Sequence, residues 1–393
     1  MIKIHKKKLT VLIIVAMIFS SALTVGALVI TGSITDKAIV NKSEYSEMRK
    51  ITERYAKLYL LQNKINETFL WDTDEEKQMD AVYKALVDSL GDKYSQYMNE
   101  EEYSKFLSYV SGTFTGIGVT FSQEDNDEFI ISKVAHDSPA EKAGLKNGDV
   151  IVRVDGKAYK DADKAAEKIR GKEGTSVKIT YRRNGKEKEA EIVRAVVNEP
   201  SVFAGEIDKA YGYLRITSFE MDTAEQFKTE LAQFERQGKK GVIIDLRNNP
   251  GGLLDSGIEI ADILLPECTI THTEDKNGKK EFYNSDEKAT KLNYVLLVNG
   301  ETASAAEILA GAVKGNHGGT IIGEQTFGKG IIQNTMELTD HSALKLTTMQ
   351  YFSPDNKEIH KIGISPDVEV KLTDKDKKDV QLLKAIEVIR EQN

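Results

Sequence analysis

Residues 9–31 carry no charged side chain and are mostly apolar, and a run of that length satisfies its own backbone in an apolar surrounding only as a helix. His5, Lys6, Lys7 and Lys8 precede it. Basic residues ahead of an apolar run favour keeping the start inside and delivering everything after Thr31 outside. Val25, Gly26 and Ala27 offer small residues where a signal peptidase can cut, so a removed leader is the alternative. Apolar character continues through Leu28, Val29 and Ile30, beyond the usual core of a leader, which favours a retained single-pass anchor. The remainder of the chain is then expected outside the cell membrane.

The 393 residues exceed one typical core, so several compact units are expected. A net charge of −8 gives no general attraction to phosphate backbones and argues against a nucleic-acid partner. With Cys268 as the single cysteine there is no internal disulfide and no paired-cysteine metal spacing, so burial must supply the stability.

Apolar residues such as Ile51, Tyr55, Leu58, Leu61, Ile65 and Phe69 recur at three and four, and predict an amphipathic helical segment over 43–107, with Trp71 as a core anchor. From 111 to 196 the pattern turns to short β-rich runs at 118–121, 129–134, 150–154 and 177–182, broken by Gly and Asp turns and by helical pieces at 140–144 and 162–169. Beyond Asn198, strands at 242–246 and 294–298 alternate with helical patterns at 224–237 and 303–314, which reads as α/β. The end of the chain, 375–392, looks helical, with Leu382, Leu383, Ile386 and Ile389 on a face able to pack at home or against a second subunit. The expected domains are a tail and anchor over 1–36, a helical segment over 37–110, a β-rich domain over 111–196, an α/β core over 197–374 and a terminal helix over 375–393.

In the β-rich domain, Gly116, Ile117 and Gly118 stand just before a strand, where bare N–H groups can converge on a carboxylate, although an ordinary tight turn gives the same pattern. The run Asp137-Ser138-Pro139-Ala140-Glu141-Lys142-Ala143-Gly144-Leu145-Lys146-Asn147-Gly148-Asp149-Val150-Ile151 resembles the segment of PDZ domains that follows the carboxylate loop. That resemblance implies that an extended peptide adds as a strand beside 119–121, its terminal carboxylate held by the amides of Gly116, Ile117 and Gly118.

In the α/β part, an apolar run at 241–246 ends in Arg247-Asn248-Asn249-Pro250-Gly251-Gly252, a loop that exposes backbone donors. A second run, 294–298, leads through Asn299-Gly300-Glu301-Thr302-Ala303 to Ser304, where a helical pattern starts. Ser304 is then an N-cap or, given a base, a nucleophile beside the positive end of a helix dipole. Of the histidines, His5, His136, His272, His317, His341 and His360, none lies in a segment that otherwise looks catalytic. A lysine can serve instead when burial leaves its amine neutral. Lys329 is the candidate: it follows Phe327 and Gly328 and precedes Gly330, Ile331 and Ile332, which offer close approach and a dry wall. Gln333, four positions on in an extended segment, faces the same way and can orient the amine.

In order and spacing, residues 245–252, 299–307 and 327–333 resemble the catalytic segments of the carboxyl-terminal processing, or tail-specific, protease family, and 344–348 and 363–367 resemble its closing segments. The similarity runs over roughly 90–370. It implies a spiral, crotonase-like α/β protease core with a PDZ-like domain inserted ahead of it and able to gate the site. It also implies that Ser304 attacks the scissile carbonyl, that Lys329 takes and returns the proton, and that Gln333 positions Lys329. The oxyanion is then met by the N–H of Ala305 and of Gly251 or Gly252. No metal or organic cofactor is implied. The partners implied are protein or peptide substrates with accessible C-terminal tails, with a membrane at the N-terminal helix and a homodimer left open. The stretch 355–360 is more charged than the usual family turn, which bears on substrate preference. The rivals are an inactive PDZ-bearing scaffold or holdase, and a His-dependent esterase, which lacks a Gly-x-Ser-x-Gly elbow here.

Overall fold

A computed structural model describes residues 6–34, 41–123, 128–135, 137–198, 200–373 and 375–392. His5 and His136 lie outside the described residues. Two compact units emerge, Met1–Met79 and Asp80–Asn393.

The first unit is helical. Helix α1 spans Lys6–Ile34, and its stretch Lys7–Ala27 is long and apolar enough to cross a membrane, with none of it buried. Helix α2, Lys42–Thr68, starts at Asn41, whose side-chain oxygen accepts from the N–H of Glu44. None of its residues is buried, so the apolar stripe read from the sequence is uncovered. Trp71 departs from its expected role as a core anchor. It is 68% exposed and meets Phe69 edge-on at 5.3 Å, and none of the residues of α2 is buried. Helix α3, Glu75–Asp88, follows across the boundary of the two units.

The helical segment read over 43–107 is divided between α2 and α3 and again by strand β1, Gln96–Met98, before helix α4, Glu100–Val110. Asn99 and Glu102 cap α4 reciprocally, satisfying two N–H groups that the first turn leaves orphaned.

The β-rich domain opens with β2, Thr113–Gly116, and closes with β8, Ala195–Asn198; the two pair antiparallel, Thr113 opposite Asn198. Between them lie β3 (Val119–Gln123), β4 (Phe129–Val134), α5 (Pro139–Lys142), β5 (Val150–Val154), α6 (Ala162–Ile169), β6 (Ser176–Arg183) and β7 (Lys186–Val193). The sheet runs β3-β4-β5-β6-β7, which leaves β3 at an edge. Its core holds Ile117, Phe129, Ile131, Leu145, Val177 and Ile179.

The α/β core follows as β9 (Val202–Glu206), β10 (Tyr211–Ile216), α7 (Thr223–Arg236), β11 (Gly241–Asp245), α8 (Leu254–Leu264), β12 (Thr269–Asp275), β13 (Lys280–Asn284), β14 (Asn293–Val298), α9 (Ala305–Gly315), β15 (Thr320–Gly323), β16 (Ile331–Glu337), β17 (Ala343–Phe352), β18 (Val368–Glu369) and α10 (Val380–Glu391). One sheet has the order β18-β15-β14-β11-β10-β9, parallel except for β9. Most residues of its inner strands are apolar because both faces are covered. Val242, Ile244, Leu296 and Val298 face α7, α8 and α9, whereas Ile243, Val295 and Leu297 face Ala385 and Ile389 of α10. The terminal helix thus packs at home, although Leu383 points outward and is half exposed.

A second sheet has the order β1-β17-β12-β13, with β16 also on β17. Strand β17 is long enough to pair with β1, β16 and β12 along its length, and so draws the segment ahead of the β-rich domain against the strands behind it.

Candidate active site

Ser304 stands between β14 and α9 with φ 56° and ψ −120°, a conformation that costs a side-chain-bearing residue about 1–3 kcal/mol. The turn is held from below. The Thr302 hydroxyl, fully buried, donates to the Leu246 carbonyl at 2.8 Å, the Ala303 N–H donates to the Asn249 carbonyl at 2.9 Å, and Asn299 Oδ1 accepts from the Asn248 N–H at 2.9 Å. The loop after β11 therefore lies flush against the serine. A β-carbon at Gly251 (φ 96°) would sit 2.6 Å from Ser304 Cβ and 2.9 Å from the Ala305 nitrogen, so only glycine fits there.

Of the amides expected to meet an oxyanion, Gly251 already donates its N–H to Asn249 Oδ1 at 2.8 Å. The N–H groups of Ala305 and Gly252 have no hydrogen-bond partner among the described residues, and both residues line the cavity that contains Ser304.

Lys329 lies on the loop between β15 and β16, and two buried side chains the sequence reading did not single out fix that loop to the serine. Glu307, in the first turn of α9 and fully buried, accepts at Oε1 from Thr326 Oγ1 (2.6 Å) and Gly328 N–H (2.7 Å), and at Oε2 from Ser304 N–H (2.9 Å) and Lys329 N–H (2.8 Å). Tyr351 of β17, also fully buried, places its hydroxyl 3.0 Å from the Ser304 carbonyl and 2.5 Å from that of Lys329. Burial pushes the Tyr351 phenol well above its ordinary value, so it keeps the proton it shares between those carbonyls. A signal for Glu307 does exist in the sequence: Ser304-Ala305-Ala306-Glu307 is a capping-box spacing at the head of an otherwise apolar helix.

The Lys329 amine rests 4.8 Å from the ring centre of Tyr94, a cation–π distance. Desolvation holds it below the ordinary lysine value, helped by the like charges of Lys345 and Lys93 and opposed by Asp92 and Glu307. Gln333 on β16 turns its Nε2 toward Thr347 Oγ1 at 3.0 Å. Ser304, Lys329, Gln333, Ala305, Gly251 and Gly252 all border one cavity of about 560 Å³, walled also by Leu254, Ile308, Ile332 and Met349. Among the described residues no hydrogen bond joins Ser304 Oγ, Lys329 Nζ and the Gln333 amide to one another. The cavity can therefore bring a hydroxyl, a depressed-pKa amine and two unpaired N–H groups onto one carbonyl, which is the equipment of acyl transfer.

The described histidines stand elsewhere. His272 is stacked between Phe282 and Phe352, each at 5.0 Å, His341 bonds Glu337, His317 is exposed beyond α9, and His360 lies against Gly330 without bordering the cavity.

In the β-rich domain, residues 116–121 and α6 face each other across a cavity of about 420 Å³ that includes Ala162, Ala166 and Arg170. Gly118 (φ 82°) precedes the open edge of β3, and a β-carbon there would lie 2.3 Å from Ser138 Cβ. Gly116, Ile117 and Gly118 thus line a groove beside the edge strand of the sheet.

A model of peptidase family S41 matches residues 210–370, and a PDZ domain model matches 115–193. The carboxy-terminal processing protease CtpA of Bacillus subtilis (strain 168) is 36% identical over 377 residues, covering 93% of this chain and 78% of that protein. A probable CtpA-like serine protease of Staphylococcus haemolyticus is 35% identical over 363 residues, covering 88% and 71%. Among solved structures, a photosystem II D1 C-terminal processing protease aligns with a TM-score of 0.50 at 28% identity, over 86% of this chain and 91% of its own. An S41 protease structure from Bacteroides fragilis shares the fold, with a TM-score of 0.54 at 17% identity over 84% and 97%. With a PDZ domain set ahead of a core matched over these lengths, the chain belongs to peptidase family S41, among its CtpA-like carboxyl-terminal processing serine proteases.

Proposed function

We propose that this serine protease hydrolyses peptide bonds with Ser304 as nucleophile and Lys329 as general base, on substrates presented by their C-terminal tails. The observation that carries the assignment is the common anchoring of the Ser304 and Lys329 backbones on Glu307 at the wall of one cavity. Neutral Lys329 takes the Ser304 hydroxyl proton as Oγ attacks the scissile carbonyl. The negative charge then developing on the carbonyl oxygen is met by the N–H groups of Ala305 and Gly252. The lysine ammonium returns its proton to the leaving amine, and water, deprotonated by the same amine, releases the acyl group from Ser304. Gln333 positions Lys329.

The groove between β3 and α6 supports tail capture, with the peptide added as a strand on β3 and its carboxylate at Gly116, Ile117 and Gly118. Helix α1, which begins with Lys6, Lys7 and Lys8 ahead of its apolar run, supports a single-pass anchor with the protease on the outer side of the membrane. A cleaved leader would instead show as a new N-terminus on the mature protein. Light scattering of the full chain tests a homodimer.

The decisive assay is cleavage of unfolded casein by the full-length protein in detergent, beside Ser304→Ala and Lys329→Ala. Loss of activity in both supports the dyad. Retained activity in Lys329→Ala removes it, and an inactive wild type favours a peptide-binding scaffold.

A further inference from the structure

Strand β17 carries one residue more than β16 where they pass the active site. Ile332 pairs with Met349 and Gln333 with Thr347, so Thr348 is an added residue and the ladder is bulged there. Thr347 is thereby set directly opposite Gln333, on the same face, with Gln333 Nε2 and Thr347 Oγ1 at 3.0 Å. An amide facing a hydroxyl does not by itself say which end of the amide is which, because a hydroxyl both donates and accepts.

A third group settles the direction. Asp92, on the loop before β1, accepts from the Ser95 hydroxyl at 2.6 Å, while Ser95 Oγ accepts the Thr347 N–H at 3.0 Å, and the Thr347 hydroxyl stands near enough to the Asp92 carboxyl to help lower it. Burial raises the Asp92 carboxyl, but the hydrogen bonds from Ser95, Thr347 and the backbone of Tyr94 and Ser95 outweigh it and hold the group below its ordinary value, as an ionised acceptor. A hydroxyl beside an ionised carboxylate turns its single proton toward it, which gives the Thr347 proton to Asp92. Only lone pairs remain on Thr347 Oγ1, so the Gln333 end that faces it must be the NH2, and Oε1 is the end left for the cavity shared with Lys329.

We propose that Asp92 and Thr347 are positioning residues for the general base, fixing the Gln333 amide so that its oxygen, and not its NH2, addresses Lys329. The inference rests on the Ser304 and Lys329 assignment above. Its chemical sense is in the lone pair. A lysine amine must keep its lone pair for the serine proton, and an acceptor beside it engages only its N–H bonds. An NH2 in the same place would occupy the lone pair and block the base. The loop serves twice, since Tyr94, two residues from Asp92, lies under the Lys329 amine. The other charged groups facing that amine are Lys93 on the same loop, Lys345 on β17 and Glu307 on α9.

The test measures kcat and KM for unfolded casein against pH with the full-length protein in detergent. Thr347→Val keeps the shape and removes the relay. It is expected to lower kcat about tenfold or more with KM little changed, in the range seen when outer groups orienting a reactive residue are removed. The acid limb of the profile moves to lower pH, because the ammonium form loses an acceptor that favoured it. Thr347→Ser restores both. Gln333→Glu presents a carboxylate instead and moves the acid limb upward. Wild-type kcat in Thr347→Val, with Lys329→Ala inactive, overturns the relay and leaves the dyad standing; activity in Lys329→Ala overturns both. If Thr347→Ser is as impaired as Thr347→Val, or if kcat falls with the acid limb unmoved, Thr347 acts only in packing and the proposal fails.

Discussion

Ser304 and Lys329 donate their backbone N–H groups to the same carboxylate oxygen, Oε2 of Glu307, at 2.9 and 2.8 Å. The other oxygen holds Thr326 and Gly328, so one buried side chain fixes the distance between nucleophile and base from the backbone side. Tyr351 repeats the tie on the carbonyl side. Both decide where the reacting atoms can be.

Glu307→Gln leaves a donor facing backbone donors. With two N–H groups unpaired in a buried site, a loss of about 1–3 kcal/mol of stability is expected. A displacement of about 1 Å between nucleophile and base is worth on the order of a hundredfold in kcat. Chemical denaturation and steady-state cleavage of casein read the two effects, and unchanged kcat would show that Glu307 merely caps α9.

The pH dependence follows from the sign of the Lys329 shift. Activity needs the neutral amine, so kcat rises with pH through a lysine value held below the ordinary 10.5, first by desolvation and then by Lys345. Lys345→Met removes the like charge, raises the Lys329 value and moves the acid limb to higher pH. The same depression affects folding: between the folded and unfolded lysine values the unfolded chain binds more protons, so stability from this group rises with pH across that window. An acid limb unaffected by Lys345→Met would mean that Lys345 does not act on the base.

Gly251→Ala is expected to slow cleavage sharply while leaving tail binding intact. The added methyl meets Ser304 Cβ and the Ala305 nitrogen, and φ 96° is strained for alanine. A fall of on the order of a hundredfold in kcat is expected from that displacement. Peptide binding followed by fluorescence anisotropy provides the control.

Capture of a tail by Gly116, Ile117 and Gly118 requires a free carboxylate. A substrate whose C-terminus is amidated should therefore be cut more slowly than the same peptide with its carboxylate, mainly through KM if the groove only binds and through kcat if docking also aligns the site. Equal rates for the two peptides would remove the tail-reading role.

Much of this architecture is legible in the sequence, and the boundary has a physical origin. The strands at Phe129–Val134 and Val150–Val154 and the helix at Ala162–Ile169 end where they were read, because Gly and Asp turns and the Asp161 cap are local signals. Ser304, Lys329 and Gln333 are legible as candidates through spaced motifs, and they border one cavity. Asp92, Thr347 and Tyr351 were not found, because their meaning comes from contacts between distant segments: Ser95 and Thr347 are 252 positions apart. The orientation of Gln333 was inferred from strand alternation, yet Lys329 precedes β16 and the bulge at Thr348 lies between the relevant pairs. Trp71 misled because helical periodicity signals an apolar face without saying whether anything covers it.

The pairing of β2 with β8 sets the first and last residues of the PDZ domain side by side, with Thr113 opposite Asn198. An inserted module whose two ends leave through one ribbon behaves as a plug-in cassette. Another peptide reader with similarly adjacent ends can replace it without rerouting the core chain, and the specificity of the protease for its substrates becomes separable from its chemistry.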